Sequence, residues 1–437
     1  AVGRALRVGD EARIAAAQLD LAEAQQVSAM ASALPQLRLV GSYSHVFENA
    51  RAQAVGQIFN QPNTYTVNTN LSQIIFQGGR ALAGVRAAGR LRDAAELNVA
   101  EARAEVSLQV LRAYLQALLA DRLVEIQERN LAVAEAQLRT VEELERAGRA
   151  ARYDVLRARV DRANLEPQVI QARADRELAY LELKRLVNLP LERPVRLSTT
   201  VDTAAVRALA ESVAADTGSG AGRPSVRAAE AVVQARRSGV AAARADFLPT
   251  VTVFFQTGYQ AFPPGNFFPP GAGRVISVEC PPGAPPGRSC TQQNGGWFAD
   301  RLMGVQFSWP LFDGRRAKAN LDAASAQVRL AELELARARE SAALEVAQAR
   351  AGLARARAFY DAQRQAAAEA AEAFRLAQLR FGRGLSTQLE VSTAQLALLT
   401  AETNQARAVF DLYVAAAELA RALGRPVPLA PAGGPPR

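Results

Sequence analysis

An internal repeat constrains the fold of this chain more than any other feature of its 437 residues. The segment Ile75–Arg80 matches the segment Leu311–Arg316, which lies 236 positions later. The same spacing aligns Gly148 with Gly384, so more than a hundred residues run in parallel without a gap. Such self-similarity indicates two copies of one structural unit. The copies are joined near residues 190–222.

Each copy reads as helix, strand, loop, strand, long helix, break and long helix. The predicted divisions are a first repeat at 1–190, a linker at 191–222, a second repeat at 223–426 and a tail at 427–437. Copy one is predicted to contain a helix at about 8–33, strands at about 36–47 and 64–76, and helices at about 80–147 and 150–187. Copy two is predicted to contain a helix at about 224–246, strands at about 249–260 and 301–312, and helices at about 315–380 and 386–423. The first helix of each copy ends at a Leu-Pro step, because the residue before a proline disfavours the α conformation.

The predicted strands alternate between apolar and polar residues, most cleanly in residues 65–72. Four segments of about ten residues with one apolar and one polar face fit membrane β-barrel strands. An ordinary half-buried soluble sheet shows the same alternation. The strands alone therefore leave both interpretations open.

The long helices favour the first interpretation. Residues 80–147 contain no proline and no strong break, which predicts a rod of roughly 100 Å. Leucines at coiled-coil spacing, such as Leu108, Leu111 and Leu115, predict close antiparallel packing with the return helix. Pro167 is expected to interrupt and bend that return helix.

Two β-hairpins are too few for a membrane barrel, because eight strands is the practical minimum. An open sheet edge in lipid leaves backbone groups unpaired at several kcal/mol each. If these are membrane strands, the chain must therefore share its barrel with other molecules of the same protein. Two chains would give about eight strands, and three chains would give about twelve.

Charge and composition exclude several classes of function. The net charge is +9, but arginines are interspersed with acids, as in residues 142–146, which is typical of a solvated helix face rather than a nucleic-acid-binding patch. The sequence contains no run of 18 apolar residues, so no transmembrane helix is predicted. No signal peptide is visible at Ala1, which suggests a mature or trimmed form. The single histidine, His45, and the lack of nucleotide or metal motifs predict neither an enzyme nor a bound cofactor or metal.

The two cysteines, Cys280 and Cys290, flank a Pro/Gly-rich run at 281–287. Neither CxxC spacing nor a nearby histidine supports a metal site. A disulfide closing this loop suits an oxidising compartment outside the cytoplasm. Two unpaired thiols are the alternative.

Each copy carries the same three landmarks, which are a Leu-Pro step before the β-hairpin, a Gly-containing end of the second strand and a small-residue turn between the two long helices. These landmarks are Leu34–Pro35, Leu248–Pro249, Phe76–Gly79, Trp309–Gly314, Gly148–Ala151 and Gly384–Thr387. In the order, doubling and spacing of these motifs, the chain resembles the TolC-like outer-membrane efflux family from about residue 8 to residue 426.

The resemblance implies an α+β membrane protein in the outer membrane, extending into the periplasm. Three copies would form a twelve-stranded β-barrel in the lipid, continued by a twelve-helix α-barrel. The chain would be the passive exit duct of a tripartite efflux or type I secretion system, with a periplasmic adaptor and an inner-membrane pump of the RND, ABC or MFS type as partners. Loop 261–300 would face outside the cell, and segment 190–222, with a short helix near 203–213, would lie in an equatorial belt.

The chief alternative is a periplasmic adaptor or a structural coiled-coil protein. Two hairpin copies, each preceded by its own strand pair, argue against both.

The resemblance also places functional residues at the helical turns. Adaptor docking is implied at two tips, which comprise Gly148, Arg149 and Ala150 in copy one and Gly384, Leu385 and Ser386 in copy two. The second tip fits the family pattern apart from Arg383 in a valine position. The first tip departs from it at Arg149. The glycines would also serve simply as left-handed turn residues.

Just inside the tips, the resemblance implies an acidic ring that narrows the periplasmic entrance. Glu390 occupies its first acidic position, and Thr393 occupies the second, where many members have Asp. Asp154 aligns with a latch carboxylate of copy one. The family's latch tyrosine and arginine are replaced by Phe381 and Ser386, which implies fewer polar links in the closed state. Copies of Glu390 brought together would repel one another and attract cations.

Overall fold

A computed structural model describes residues 1–48, 50, 53, 62–199, 201–263, 274–278, 290–294 and 296–428, with only the backbone of 274–278 and 290–294. Its helices are α1 (Val2–Val8), α2 (Asp10–Ala31), α3 (Arg80–Arg146), α4 (Arg152–Leu186), α5 (Thr203–Ala214), α6 (Pro224–Arg244), α7 (Arg316–Gly382) and α8 (Gln388–Ala422). Its strands are β1 (Gln36–His45), β2 (Asn63–Gln77), β3 (Thr250–Ala261), β4 (Arg274–Val278), β5 (Cys290–Asn294) and β6 (Trp297–Ser308). Among the described residues, no helix combines the length and the apolar character that a membrane span requires.

The long helices have the same lengths in both copies. The helices α3 and α7 each contain 67 residues, and α4 and α8 each contain 35. Pro167 lies inside α4, and the helix continues through it from Arg152 to Leu186. The predicted interruption is therefore wrong, because losing one backbone hydrogen bond costs less than unfolding the packed turns on either side.

The chain forms two compact units, and each combines segments of both predicted copies. The first unit contains Ala1–Ala22, Leu91–Val233 and Leu330–Arg437, and the second contains Glu23–Arg90 and Gln234–Arg329. The first unit is helical in its described residues. The second unit contains the sheet.

The core of the helical unit lies along α8. Tyr413, Leu412 and Leu419 are almost fully buried there against Leu115 of α3 and Leu353 of α7. Full burial of a large apolar side chain contributes roughly 1.5–3 kcal/mol. Alanines fill the positions between these side chains, and this allows the helices to approach closely.

A buried ionic cluster joins four segments of the helical unit. Arg223, directly before α6, donates from Nε and Nη2 to one carboxylate oxygen of Glu101, at 3.0 and 2.6 Å. Its Nη1 donates to Glu345 of α7. Arg421 of α8 contacts Glu101 at 3.3 Å and Glu105 at 2.8 Å. Burial lowers the pKa of Arg223, but its hydrogen bonds to Glu101 and Glu345 outweigh this effect and raise it overall.

The sequence repeat is also visible in the backbone. Residues with positive φ recur at equivalent positions of the two copies. They are Gly148 and Gly384, Asn188 and Gly424, Gly78 and Gly314, and Gly79 and Arg315. Arg315 adopts a φ of 71° where copy one has a glycine. The backbone of each turn is therefore kept even where its residue type has changed.

The sheet unit holds one antiparallel sheet of four strands in the order β1-β2-β3-β6. The pairing of β2 with β3 joins the two copies, with Thr69 opposite Thr257. The strands β1 and β6 form the two edges. A bulge between Ile74 and Phe76 shifts the register at the end of β2.

The two faces of this sheet differ in polarity. One face carries polar side chains, such as Arg38, Asn70 and Gln256, which lie next to one another across β1, β2 and β3. The opposite face is apolar and includes Leu39, Phe255 and Met303, all of them exposed.

The sequence missed the short hairpin of β4 and β5, in which Val278 pairs with Cys290. The Pro/Gly content of residues 261–300 masked two strands of five residues each. Cys280 and the side chain of Cys290 lie outside the described residues, so the disulfide stays a prediction. The last strand, β6, begins at Trp297 rather than residue 301 because Trp297 pairs with Ala261.

Candidate functional site

The turn between α3 and α4 is a left-handed helix cap. Gly148 has a φ of 69°, and its N–H donates to the carbonyl oxygen of Glu145 at 2.8 Å. The N–H of Arg149 donates to the carbonyl oxygen of Leu144 at 2.8 Å. These two bonds form a Schellman motif, which satisfies carbonyls that the end of α3 leaves free. A Cβ atom at Gly148 would meet no atom within 4 Å, so the backbone conformation rather than packing requires glycine.

The turn between α7 and α8 has the same geometry. Gly384 has a φ of 73°, and its N–H donates to the carbonyl oxygen of Phe381 at 2.9 Å. The N–H of Leu385 donates to the carbonyl oxygen of Arg380 at 2.8 Å. The Leu385 side chain remains 65% exposed, so this tip presents an apolar residue to its surroundings.

Asp154 and Glu390 occupy equivalent positions, in the first turn of the helix that follows each tip. The Asp154 carboxylate accepts the N–H of Ala151 at 3.2 Å. The Glu390 carboxylate accepts the N–H of Thr387 at 3.4 Å, and the Glu390 N–H donates to Thr387 Oγ1 at 3.4 Å. Carboxylates at this position favour the positive end of the helix dipole. Within one chain, both acids therefore cap helices.

The remaining predicted aperture residues lie close to the second tip. Phe381 is half-buried in the last turn of α7. The Ser386 hydroxyl donates to the carbonyl oxygen of Ala377 at 3.4 Å. The Thr393 hydroxyl donates to the carbonyl oxygen of Leu389 at 2.8 Å, within its own helix. None of these contacts joins the α3–α4 helical hairpin to the α7–α8 helical hairpin.

Sequence reasoning missed the polar chain that does join the two hairpins. Gln137 of α3 donates to the side-chain oxygen of Gln388 at 2.7 Å. The Gln388 amide donates to the hydroxyl of Ser392 at 3.4 Å, and Ser392 Oγ donates to Asp161 Oδ2 of α4 at 2.7 Å. Gln388 is only 3% exposed, and Ser392 and Asp161 are partly buried. We call these four residues the inter-hairpin chain.

A sequence signal for this chain was present. Gln388, Ser392 and Gln395 are spaced four and three residues apart, which places them on one face of a helix. The Gln395 amide also crosses between hairpins and donates to the carbonyl oxygen of Asn130 at 3.2 Å. A polar stripe on a helix with many buried apolar positions indicates contacts to a neighbouring helix.

The described residues contain no group of three or more His, Cys, Asp or Glu side chains that is arranged to hold a metal ion.

The sequence profile of the outer membrane efflux protein family matches residues 10–189 and 220–425. Solved structures with the same fold include the outer membrane protein VceC of Vibrio cholerae, with 22% identity, a TM-score of 0.75, and coverage of 98% of this chain and 96% of that chain. The MtrE outer membrane channel of Neisseria gonorrhoeae has 22% identity, a TM-score of 0.74, and coverage of 98% and 88%. The CmeC outer membrane channel of Campylobacter jejuni has 17% identity, a TM-score of 0.75, and coverage of 97% and 84%. No curated protein sequence matches the chain.

Proposed function

The chain belongs to the outer membrane efflux protein family, and from this we propose that three copies form one continuous duct through the outer membrane and into the periplasm. The protein is an efflux channel of the outer membrane and has no enzymatic activity. The alternatives of a periplasmic adaptor and a structural coiled-coil protein are set aside by the family match. Transport energy must then come from a partner, because a duct without catalysis has no energy source of its own.

The sheet carries the assembly proposal. Four strands fall short of the eight needed for a membrane barrel, so strands must come from other copies. On the edge strand β1, Leu37 and Leu39 are 69% and 71% exposed, and on the edge strand β6, Met303 is 76% exposed. Edge strands with an exposed apolar face pair readily with another chain. Three copies give twelve strands, with the apolar face toward lipid and the polar face toward the lumen.

The mass of the assembled protein tests this proposal. Light scattering of the detergent-extracted protein, corrected for bound detergent, is expected to give about three times the chain mass of 46.7 kDa. Twice that mass would indicate an eight-stranded barrel instead. A monomer that persists in every detergent would refute the shared barrel.

The tips carry the partner proposal. Both turns expose small residues at the end of a helical hairpin, and the second adds the exposed apolar side chain of Leu385. A periplasmic adaptor docking on Gly148, Arg149 and Ala150 and on Gly384, Leu385 and Ser386 would link the duct to an inner-membrane pump. In co-purification with its adaptor, Leu385→Asp should lose binding, and retained binding would exclude this tip.

We propose that the periplasmic entrance is gated at these tips. Asp154, Glu390, Thr393 and Phe381 would line the aperture, and the inter-hairpin chain would hold the hairpins together in the closed state. A cleft of about 350 Å³ beside Asp161 and Ser392 supports movement here, because the hairpins are incompletely packed at this point.

Weakening the inter-hairpin chain is expected to favour the open state of the duct. Asp161→Ala deletes the acceptor of the Ser392 hydroxyl, and a hydrogen bond to a charged group contributes about 1.5–3 kcal/mol. The ratio of open to closed channels should therefore rise about tenfold or more in planar-bilayer recordings. Asp175→Ala is the matched control, since the Asp175 carboxylate accepts a hydrogen bond from Gln171, one turn away in the same helix.

Equal open probabilities in Asp161→Ala and Asp175→Ala would remove the inter-hairpin chain from the gate. Glu390→Ala, recorded in the same way, tests the aperture ring separately. An unchanged conductance in that variant would show that Glu390 only caps its helix.

A further inference from the structure

The polar face of the sheet carries two aromatic residues, Phe298 near the start of β6 and Phe254 in the middle of β3. In β3, Phe254 shares this face with Thr250, Thr252, Gln256 and Gln260, because side chains alternate along a strand. The next aromatic residue along the strand, Phe255, belongs to the exposed apolar face. In the proposed duct, the polar face is the lumen wall, so Phe254 is an aromatic ring on that wall.

The tip of the Phe254 ring lies over Gly304 of the neighbouring strand. Its cross-strand partner in β6 is Gly304. A Cβ atom at position 304 would be 2.8 Å from Cζ and 3.1 Å from Cε1 of Phe254. The ring tip therefore occupies the space that any other residue would fill. Glycine at 304 is what allows the ring to lie along the wall instead of projecting into the lumen.

Two further apolar side chains extend this surface. Ile74 pairs with Thr252, and Leu302 pairs with Gln256, so each is a diagonal neighbour of Phe254 on an adjacent strand. Diagonal neighbours lie about 7–8 Å apart, within reach of an aromatic ring. Ile74 is 40% exposed and Leu302 is 52% exposed. Together the three residues form an apolar stripe across β2, β3 and β6.

We propose that this stripe is a contact site for the aromatic or alkyl groups of solutes passing through the duct. The inference rests on the proposed barrel, in which the polar face lines the lumen. The polar side chains around the stripe stay hydrated. The stripe itself offers an apolar surface on which the ring of an amphiphilic solute can be desolvated. Gly304 keeps the passage open, because it seats the Phe254 ring against the wall.

The test compares two cations of equal charge in planar-bilayer recordings of the assembled channel. Benzyltrimethylammonium carries an aromatic ring, and tetramethylammonium does not. In the unmodified protein, the benzyl cation should reduce the current at lower concentrations than the methyl cation. Phe254→Ala should weaken the block by the benzyl cation about two- to tenfold and leave that by the methyl cation unchanged. Phe255→Ala is the matched control on the opposite face. The benzyl cation should block this variant at the same concentrations as the unmodified protein.

A second pair of variants tests whether Gly304 provides the space that the Phe254 ring occupies. Gly304→Val should lift the ring into the lumen and lower the conductance in plain potassium chloride. The double variant Phe254→Ala with Gly304→Val should restore it. An equal benzyl block in Phe254→Ala and the unmodified protein, or a low conductance that persists in the double variant, would overturn the inference. Failure of the unmodified protein to form channels would instead count against the proposed duct.

Discussion

Replacing Arg223 with alanine is expected to destabilise the protein by about 3 kcal/mol, because it leaves the largely buried carboxylate of Glu101 without its main partner. Arg223 has a side chain that is 7% exposed, and its guanidinium holds Glu101 and Glu345 at once. Without it, Glu101 keeps the longer contact to Arg421, at 3.3 Å. Since these groups belong to α3, α7, α8 and the start of α6, the loss should loosen four segments together.

The melting temperature of the detergent-extracted protein, followed by circular dichroism, measures this effect. Arg339→Ala is the matched control, because Arg339 pairs with Glu230 at 2.6 Å but both side chains are about half exposed. Exposed pairs contribute about 0–1 kcal/mol, so the control should melt close to the unmodified protein. The melting temperature of Arg223→Lys should lie between those of Arg223→Ala and Arg339→Ala, since lysine keeps the positive charge but lacks the planar guanidinium that binds two carboxylates. Equal melting temperatures for Arg223→Ala and Arg339→Ala would show that the cluster does not hold the helices together.

The repeat and the helical periodicity predict the four long helices and the four strands of the main sheet, because both depend on local sequence. The two tips are the clearest example. Gly148 and Gly384 are recognisable as turn residues, and both adopt the positive φ that ends α3 and α7. The repeat and the periodicity predict neither the β4–β5 hairpin nor the division of the first helix into α1 and α2. Arg315 shows the limit of this approach. It takes the left-handed conformation where copy one has Gly79, and nothing in its residue type indicates it.

Long-range pairings were harder to predict. The contact of β2 with β3 joins residues nearly two hundred positions apart, and neither strand specifies its neighbour. The inter-hairpin chain is similar, because Asp161 and Ser392 are ordinary polar residues until the fold places them 2.7 Å apart. Among the residues that the structure describes, the Arg223 cluster has no equivalent in the other copy. Arg421 recurs as Arg185, but Arg185 bonds to Glu182 in its own helix instead.

Gly258→Ala is expected to disrupt the sheet and with it the assembled channel. A Cβ atom at position 258 would lie 2.1 Å from Oδ1 of Asn68 and 2.2 Å from the backbone oxygen of Val67. Overpacking typically costs about 1–3 kcal/mol and sometimes more, and here β2 and β3 would have to separate. Gly41→Ala is the matched control in the same sheet, because its added Cβ would be 3.9 Å from the nearest atom, the backbone oxygen of Thr66.

The measurement is the yield of channel-forming protein and its melting temperature in detergent. Both should fall sharply for Gly258→Ala and stay near the unmodified values for Gly41→Ala. The added variant Asn68→Ala should not rescue Gly258→Ala, because the Val67 oxygen is backbone and cannot rotate away. Gly304 differs in this respect, since only the end of the Phe254 side chain opposes a Cβ there and removing that ring relieves the clash. A rescue by Asn68→Ala would mean that Gly258 only makes room for the Asn68 side chain. In that case neither Gly258 nor Gly304 would determine how the strands pair.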